Sequence, residues 1–423
     1  MPLVPHASSV DLIAHVRRHV RRHVRRALAR LRKARRVRRV RPGAGAPFRV
    51  SAPRLAAGAL ALPLAFPAAL PAGAAAEGGS VSTSAGEVRI EPVLDGLKEP
   101  WSLAFLPDGG FLVTERGGRL THVSAEGARL RVRGVPPVAR GGQGGLLDVV
   151  VARDFATSRE IFLSFAKRQG GGSGTALAVA RLSDEGTRLE RLRTIFEMRP
   201  GSSGGRHFGG RIVEARDGTL LLTLGERGDR PSAQDLSRHN GSIIRINRDG
   251  SVPADNPFVN TPGARPEIWS YGHRNPQGAA LDGRGRLWIN EHGARGGDEI
   301  NLIRKGANYG WPVIAYGVHY SGAKIGEGTR KEGMEQPEYY WDPSIAPSGL
   351  LVYSGRLWPQ WRGHLFSGSL KFHMISRLDP KGWEEERIAA PQTLRVRDLR
   401  EAPDGSIWFL SVGQGAVYRM VPG

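Results

Sequence analysis

Three stretches of this 423-residue chain bring together side chains that could do chemistry. In Arg206-His207-Phe208-Gly209-Gly210-Arg211 an imidazole stands just ahead of the strand-forming pair Ile212-Val213. A neutral histidine there can take a proton. Between Trp269 and Gly278 the residues His273, Arg274, Asn275 and Gln277 crowd together, with Pro276 fixing the backbone and aromatic residues alongside. So many hydrogen-bond donors read as a binding loop for carbonyls or carboxylates. From Asn290 to Glu299, carboxylates and the carbonyls of a glycine-rich backbone suit a hard, oxygen-seeking cation such as Ca²⁺. The spacing is not that of an EF-hand. Lys371, Arg395 and Arg397, at the ends of late strands, add cations that would attract a polyanion.

Other chemistries are excluded. The chain has no Cys, so thiolate nucleophiles, disulfides and Cys-ligated metals are absent. The glycine-rich stretches 141–145 and 170–174 lack the Gly-Lys-Ser/Thr ending and the helix of a phosphate loop. They read as connecting loops.

The elements that must position these groups follow from a repeat. Asp-Gly pairs at 108, 217, 282 and 404 each precede a run of β-branched, leucine or aromatic residues, the pattern of a turn entering a buried strand. Their spacings fit one or two units of a period near 60 residues. Two degenerate copies fill the gaps: Arg153-Asp154 before Ile161–Phe165, and Trp361-Arg362-Gly363 before Leu365-Phe366. Six units of short strands, with hardly any helical periodicity after Ala76, predict an all-β fold: a six-bladed β-propeller with four-stranded blades.

The net charge of +21 is misleading. Sixteen Lys and Arg between Arg17 and Arg54, against Asp11 alone, place +15 in the leader and leave +6 for the rest. Nucleic acid is therefore not an expected partner. Residues 1–48 read as a basic low-complexity leader outside the mature protein. Residues 49–76 read as a signal peptide: Arg49 and Arg54, then an uncharged run ending in Ala72-Gly73-Ala74-Ala75-Ala76. Pro63, Pro67 and Pro71 make that run a weak spanning helix. The expectation is a periplasmic or secreted protein with a catalytic propeller at 77–423 and no membrane span after cleavage, as monomer or homodimer.

Taken in order, Arg206–Arg211, Tyr271–Gly278 and Asp298–Pro312 resemble the soluble pyrroloquinoline-quinone-dependent sugar dehydrogenases, over roughly Pro100 to Gly423. The resemblance implies oxidation of the C1 hydroxyl of aldose sugars to the lactone by hydride transfer to the quinone, with a separate quinone or cytochrome as electron acceptor. It casts His207 as general base and Arg274 as the residue polarising the quinone, with Asn275 beside it. Gln143, Tyr320, Lys371, Arg395 and Arg397 become the remaining cofactor contacts. The carbonyls of Gly293 and Ala294 match the ligands of the cofactor's Ca²⁺, and Glu299 and Tyr309 those of a calcium site in the aldose branch. Arg206, where the glucose branch has Asp, and His292, where it has Gln, move this chain toward that aldose branch.

Two other readings stand beside this one. Six-bladed propellers also host metal-dependent sugar lactonases, which need carboxylates converging on a channel metal, and non-catalytic binding modules in which His207 would be incidental.

Overall fold

The computed structural model describes residues 76–423. The leader, and all but the last residue of the signal segment, lie outside the described residues.

After β1 (Gly79–Thr83) and β2 (Gly86–Leu94), five four-stranded antiparallel sheets follow in chain order. They run from β3 (Pro100–Phe105) to β6 (Arg129–Val132), β7 (Leu146–Val151) to β10 (Leu189–Glu197), and β11 (Ile212–Glu214) to β14 (Ile268–Tyr271). The next two run from β15 (Pro276–Leu281) to β18 (Tyr339–Trp341) and from β19 (Pro347–Val352) to β22 (Glu384–Ile388). The sixth contains β23 (Val396–Glu401), β24 (Ile407–Ser411) and β25 (Ala416–Pro422). Each sheet's first strand lies innermost: β3, β7, β11, β15, β19 and β23 contact one another in a closed ring. This is the six-bladed propeller.

One detail departs from the sequence reading. The last blade has five strands, because β2 pairs with β25 and β1 pairs with β2. Both ends of the ring thus meet in one sheet.

All six repeat copies fall in the hairpin between a blade's first and second strands. At Asp108, Asp217, Asp282 and Asp404 the carboxylate accepts a hydrogen bond from the amide two residues on, at 2.9 to 3.0 Å. The Asp side chain builds the turn. In the 282 copy the left-handed position belongs to Gly285 (φ +81°) instead of the glycine after the Asp. In the Arg153-Asp154 copy a one-turn helix, α1 (Phe155–Ser158), replaces it.

The core lies between blades. Leu112 and Leu120 pack with Val149, Leu163 and Phe165 of the next sheet, and Phe366 and Ile375 pack with Phe409, Tyr418 and Ile90 across the closing seam. Around the axis the filling is ionic. Arg211 lies 3.0 Å from both Asp148 and Asp398, while Arg400 reaches the same two carboxylates at 3.1 Å. Ser102 donates to Asp148 at 2.5 Å. Two charges of each sign, with Ser102, therefore tie β3, β7 and β23 to the start of β11 below the site.

Candidate active site

Where the inner strands begin, the ring opens into a cavity of about 1190 Å³. Ligand pockets run to about 300–1,000 Å³, so there is room for a cofactor and a sugar together. Gln143, Asn275, Tyr320, Lys371, Arg395, Arg397, Gly293 and Ala294 all line it. Arg274, Glu299 and Tyr309 line a much smaller adjoining pocket, which shares His292, Gly293 and Ala294 with the large one. His207 sits beside the wall made by Phe208 and Gly209.

His207 is 8 % exposed and has φ +54°, a left-handed conformation that a non-glycine residue adopts only when its surroundings enforce it. The enforcing contacts are visible. Its amide donates to Gln143 at 2.7 Å, the Phe208 carbonyl accepts from Thr175 at 2.6 Å, and the Gly209 amide donates to Asn275 at 3.2 Å. Its Nδ1 lies 2.8 Å from a carboxylate oxygen of buried Glu226, whose other oxygen accepts from the Gly228 amide. That partner assigns the proton to Nδ1 and leaves the lone pair on Nε2. Burial pulls the imidazole pKa below its usual value, opposed by Glu226 and helped by Arg274. The ring is therefore neutral at physiological pH.

Arg274 is fixed at both ends. Its amide donates to Glu291 at 2.7 Å, its carbonyl accepts from the Glu226 amide at 3.0 Å, and its guanidinium donates to the His292 carbonyl at 3.1 Å. Trp311 lies under the guanidinium, 5.3 Å to the ring centre, and Nε is buried with no partner among the described residues. A donor is left free.

His273 is not part of the cavity wall. It is 0 % exposed, its two nitrogens bond Glu291 and Ser270 at 2.9 Å each, and it stacks on Tyr309. It therefore stands behind Arg274 as a support.

Cations crowd the far wall. Arg397 donates to Gln277 at 2.9 Å, and Arg395 to the Leu370 carbonyl at 3.0 Å. Burial, then repulsion from Arg211, Arg395 and Arg116, lowers Arg397 to about 9. An arginine stays charged even so, and such crowding marks a place for an anion. Arg116 is the exception, being paired with Glu99.

The glycine-rich loop is held from below by buried Asp298, which accepts from the Gly293 amide at 2.8 Å, Ser344 at 2.6 Å and the Ala346 amide at 2.8 Å. Gly296 (φ +77°) and Gly297 (φ +67°) let the chain double back, and a Cβ on Gly296 would strike Asp342. Beneath it, Glu299 accepts only from Asn301, at 3.1 Å; burial, then Glu291, push its carboxyl up to about 8. A buried carboxyl next to another suits a cation, and the nearby carbonyls of Gly293 and Ala294 supply the oxygen ligands Ca²⁺ prefers. The Tyr309 hydroxyl is already engaged by the Leu302 carbonyl and the Arg304 amide, so its main-chain carbonyl is what it can offer. No cluster of three or more His, Asp or Glu surrounds a common point among the described residues.

The profile of the glucose/sorbosone dehydrogenase family matches residues 97–419. The chain belongs to that family, and with it to the oxidoreductases. A sugar dehydrogenase of this family, aldose sugar dehydrogenase YliI from Escherichia coli, is 47 % identical over 77 % of this chain and 90 % of its own. The apo crystal structure of the soluble E. coli aldose sugar dehydrogenase superposes with a TM-score of 0.76 at 44 % identity, over 79 % of this chain and 100 % of that one. The pyrroloquinoline-quinone-bound aldose sugar dehydrogenase of Streptomyces coelicolor does so with 0.65 at 27 % identity, over 82 % and 98 %.

Proposed function

We propose that this glucose/sorbosone dehydrogenase oxidises the C1 hydroxyl of aldose sugars to the lactone, with His207 as general base, pyrroloquinoline quinone as hydride acceptor and Ca²⁺ as structural cation. The observation that carries the reading is the neutral His207, held by Glu226 beside a cavity lined with unpaired cations. Its Nε2 is the atom that takes the hydroxyl proton. Glu226 then faces the imidazolium and stabilises its charge. Lys371, Arg395 and Arg397 match the need of a tricarboxylate for cations, and Arg274, with Nε free, is the donor available to a carbonyl. When bound, the quinone supplies the electron-poor carbonyl that hydride transfer requires.

The axial carboxylates count against a lactonase. Asp148 and Asp398, on the inner strands, are both neutralised by Arg211 and Arg400. They do not offer themselves to a metal. A dye-linked assay with assorted aldoses, with and without added quinone and calcium, tests the reading: sugar-dependent dye reduction that needs both additions is expected. Activity in extensively chelated protein, or dependence on nicotinamide, would overturn it.

A further inference from the structure

Val259, Val318, Tyr320, Tyr340 and Phe372 are large apolar side chains exposed among the described residues. Four of the five gather at the mouth of the cationic cavity. Tyr320, 73 % exposed, lines it directly. Val318 is joined to the lining residue Arg295 by two backbone hydrogen bonds of 3.0 Å. Phe372 follows the lining residue Lys371, whose ammonium lies 4.8 Å from the phenyl centre. Tyr340 packs at 4.4 Å on Tyr316, in the same loop as Val318. Single exposed apolar residues are ordinary, but a group around one opening marks a contact surface.

The charge of the same rim is one-sided. Arg295, Lys324, Lys371 and Arg395 are exposed there, with Lys324 paired across from Val318. The nearby carboxylates are Glu99, paired with Arg116, Glu327, paired with Lys331, and Asp342, exposed on the cavity wall with no ion-pair partner among the described residues; the four cations outnumber that one free acid. If Lys371 and Arg395 hold the cofactor, Arg295 and Lys324 remain exposed, the Lys324 ammonium donating to the Glu327 carbonyl at 2.5 Å.

We infer that this mouth is the docking surface for a small protein that presents an acidic face around a one-electron redox centre. The inference rests on the sugar dehydrogenase reading. Oxidising one C1 hydroxyl to the lactone releases two electrons and two protons. Two acceptor molecules must therefore dock in turn, each leaving with one electron, while the protons pass to solvent. Repeated visits call for a weak contact, below about 1,200 Å² in total, formed quickly through complementary charge. An apolar centre ringed by arginine and lysine meets that description; a small neutral acceptor would need no such rim.

Calorimetric titration of the mature protein, freed of its basic leader, with a ferrous acidic c-type cytochrome, without sugar, reads docking apart from turnover. Binding is expected at about 0.02 M ionic strength and should weaken at least about tenfold by about 0.5 M, as charges are screened. A basic cytochrome c should not bind. Lys324→Glu should weaken binding about tenfold and Val318→Ser severalfold, while both variants reduce a small neutral dye from sugar at the wild-type rate. Salt-insensitive binding, equal binding of the basic cytochrome, or an unaffected Lys324→Glu variant would overturn the inference. Dye reduction without cytochrome binding removes the docking surface alone. Binding without any aldose oxidation leaves the surface and removes the sugar reading.

Discussion

The catalytic proposal turns on one imidazole and the carboxylate behind it. His207→Gln should retain quinone affinity, measured by titrating the cofactor's absorbance, because the wall cations and the cation site remain. Its kcat should fall by about 10²–10⁴, the usual effect of losing a general base. Since burial lowers the pKa of His207, kcat/KM should rise with pH through a midpoint below the value of about 6.5 typical of histidine and then level off. Glu226 acts in the opposite sense on the same proton. Glu226→Gln keeps a hydrogen-bond acceptor but removes the charge, so the rising limb should move to still lower pH, with a lower plateau. An unmoved pH profile would make Glu226 a purely structural neighbour. Glu226 was not legible in the sequence: it lies 19 residues from His207, and only the pairing of β11 with the following strand brings them together. His207 stood out in its short motif, but the role proposed for it came from the family resemblance. His273 was misjudged for a related reason, since polar residues crowded in one loop do not reveal which side chain faces inward.

At the scale of elements, the loop and the strands beneath it have to keep charge where water cannot reach. Glu299→Gln should abolish the rise in melting temperature that calcium gives the wild type, a rise worth about 2.7 kcal/mol at a hundred times the dissociation constant. The apo variant should melt no lower than wild type, because a buried carboxyl has been removed. A calcium response that survives would place the cation elsewhere. The axial network predicts the reverse behaviour. Arg211→Met leaves Asp148 and Asp398 facing each other with Arg400 alone, and breaking a buried pair in this way costs about 3–5 kcal/mol, readable by denaturant titration. The Asp-Gly repeats made the first hairpin of four blades legible, because the turn chemistry is local, and their spacing located the other two. The axial network was not, since three of its four ion pairs join strands from different blades, those to Asp148 spanning 63 and 252 residues.

For the whole molecule, the repeat gave the number of blades but not the manner of closure, which depends on a pairing between the two ends of the described chain. Glu91 accepts from Arg419 at 2.8 Å across 328 residues, and Ile90 packs with Tyr353, Phe409 and Tyr418 in the seam. Ile90→Ala should therefore cost about 2–5 kcal/mol although it lies far from the site. The closing sheet also fixes an order in time. The strand that must receive β2 is made some 328 residues after it, so at about 5–20 residues per second the early hairpin waits tens of seconds with its edge exposed. Contacts this distant in sequence form slowly, and an uncovered strand edge invites pairing with other chains. A chain ending at Gly415, which lacks only β25, should accordingly appear in the insoluble fraction despite retaining every residue of the site. The ring is a clasp that only its final strand can fasten, and the vulnerable period of this protein's life is the interval before that strand arrives.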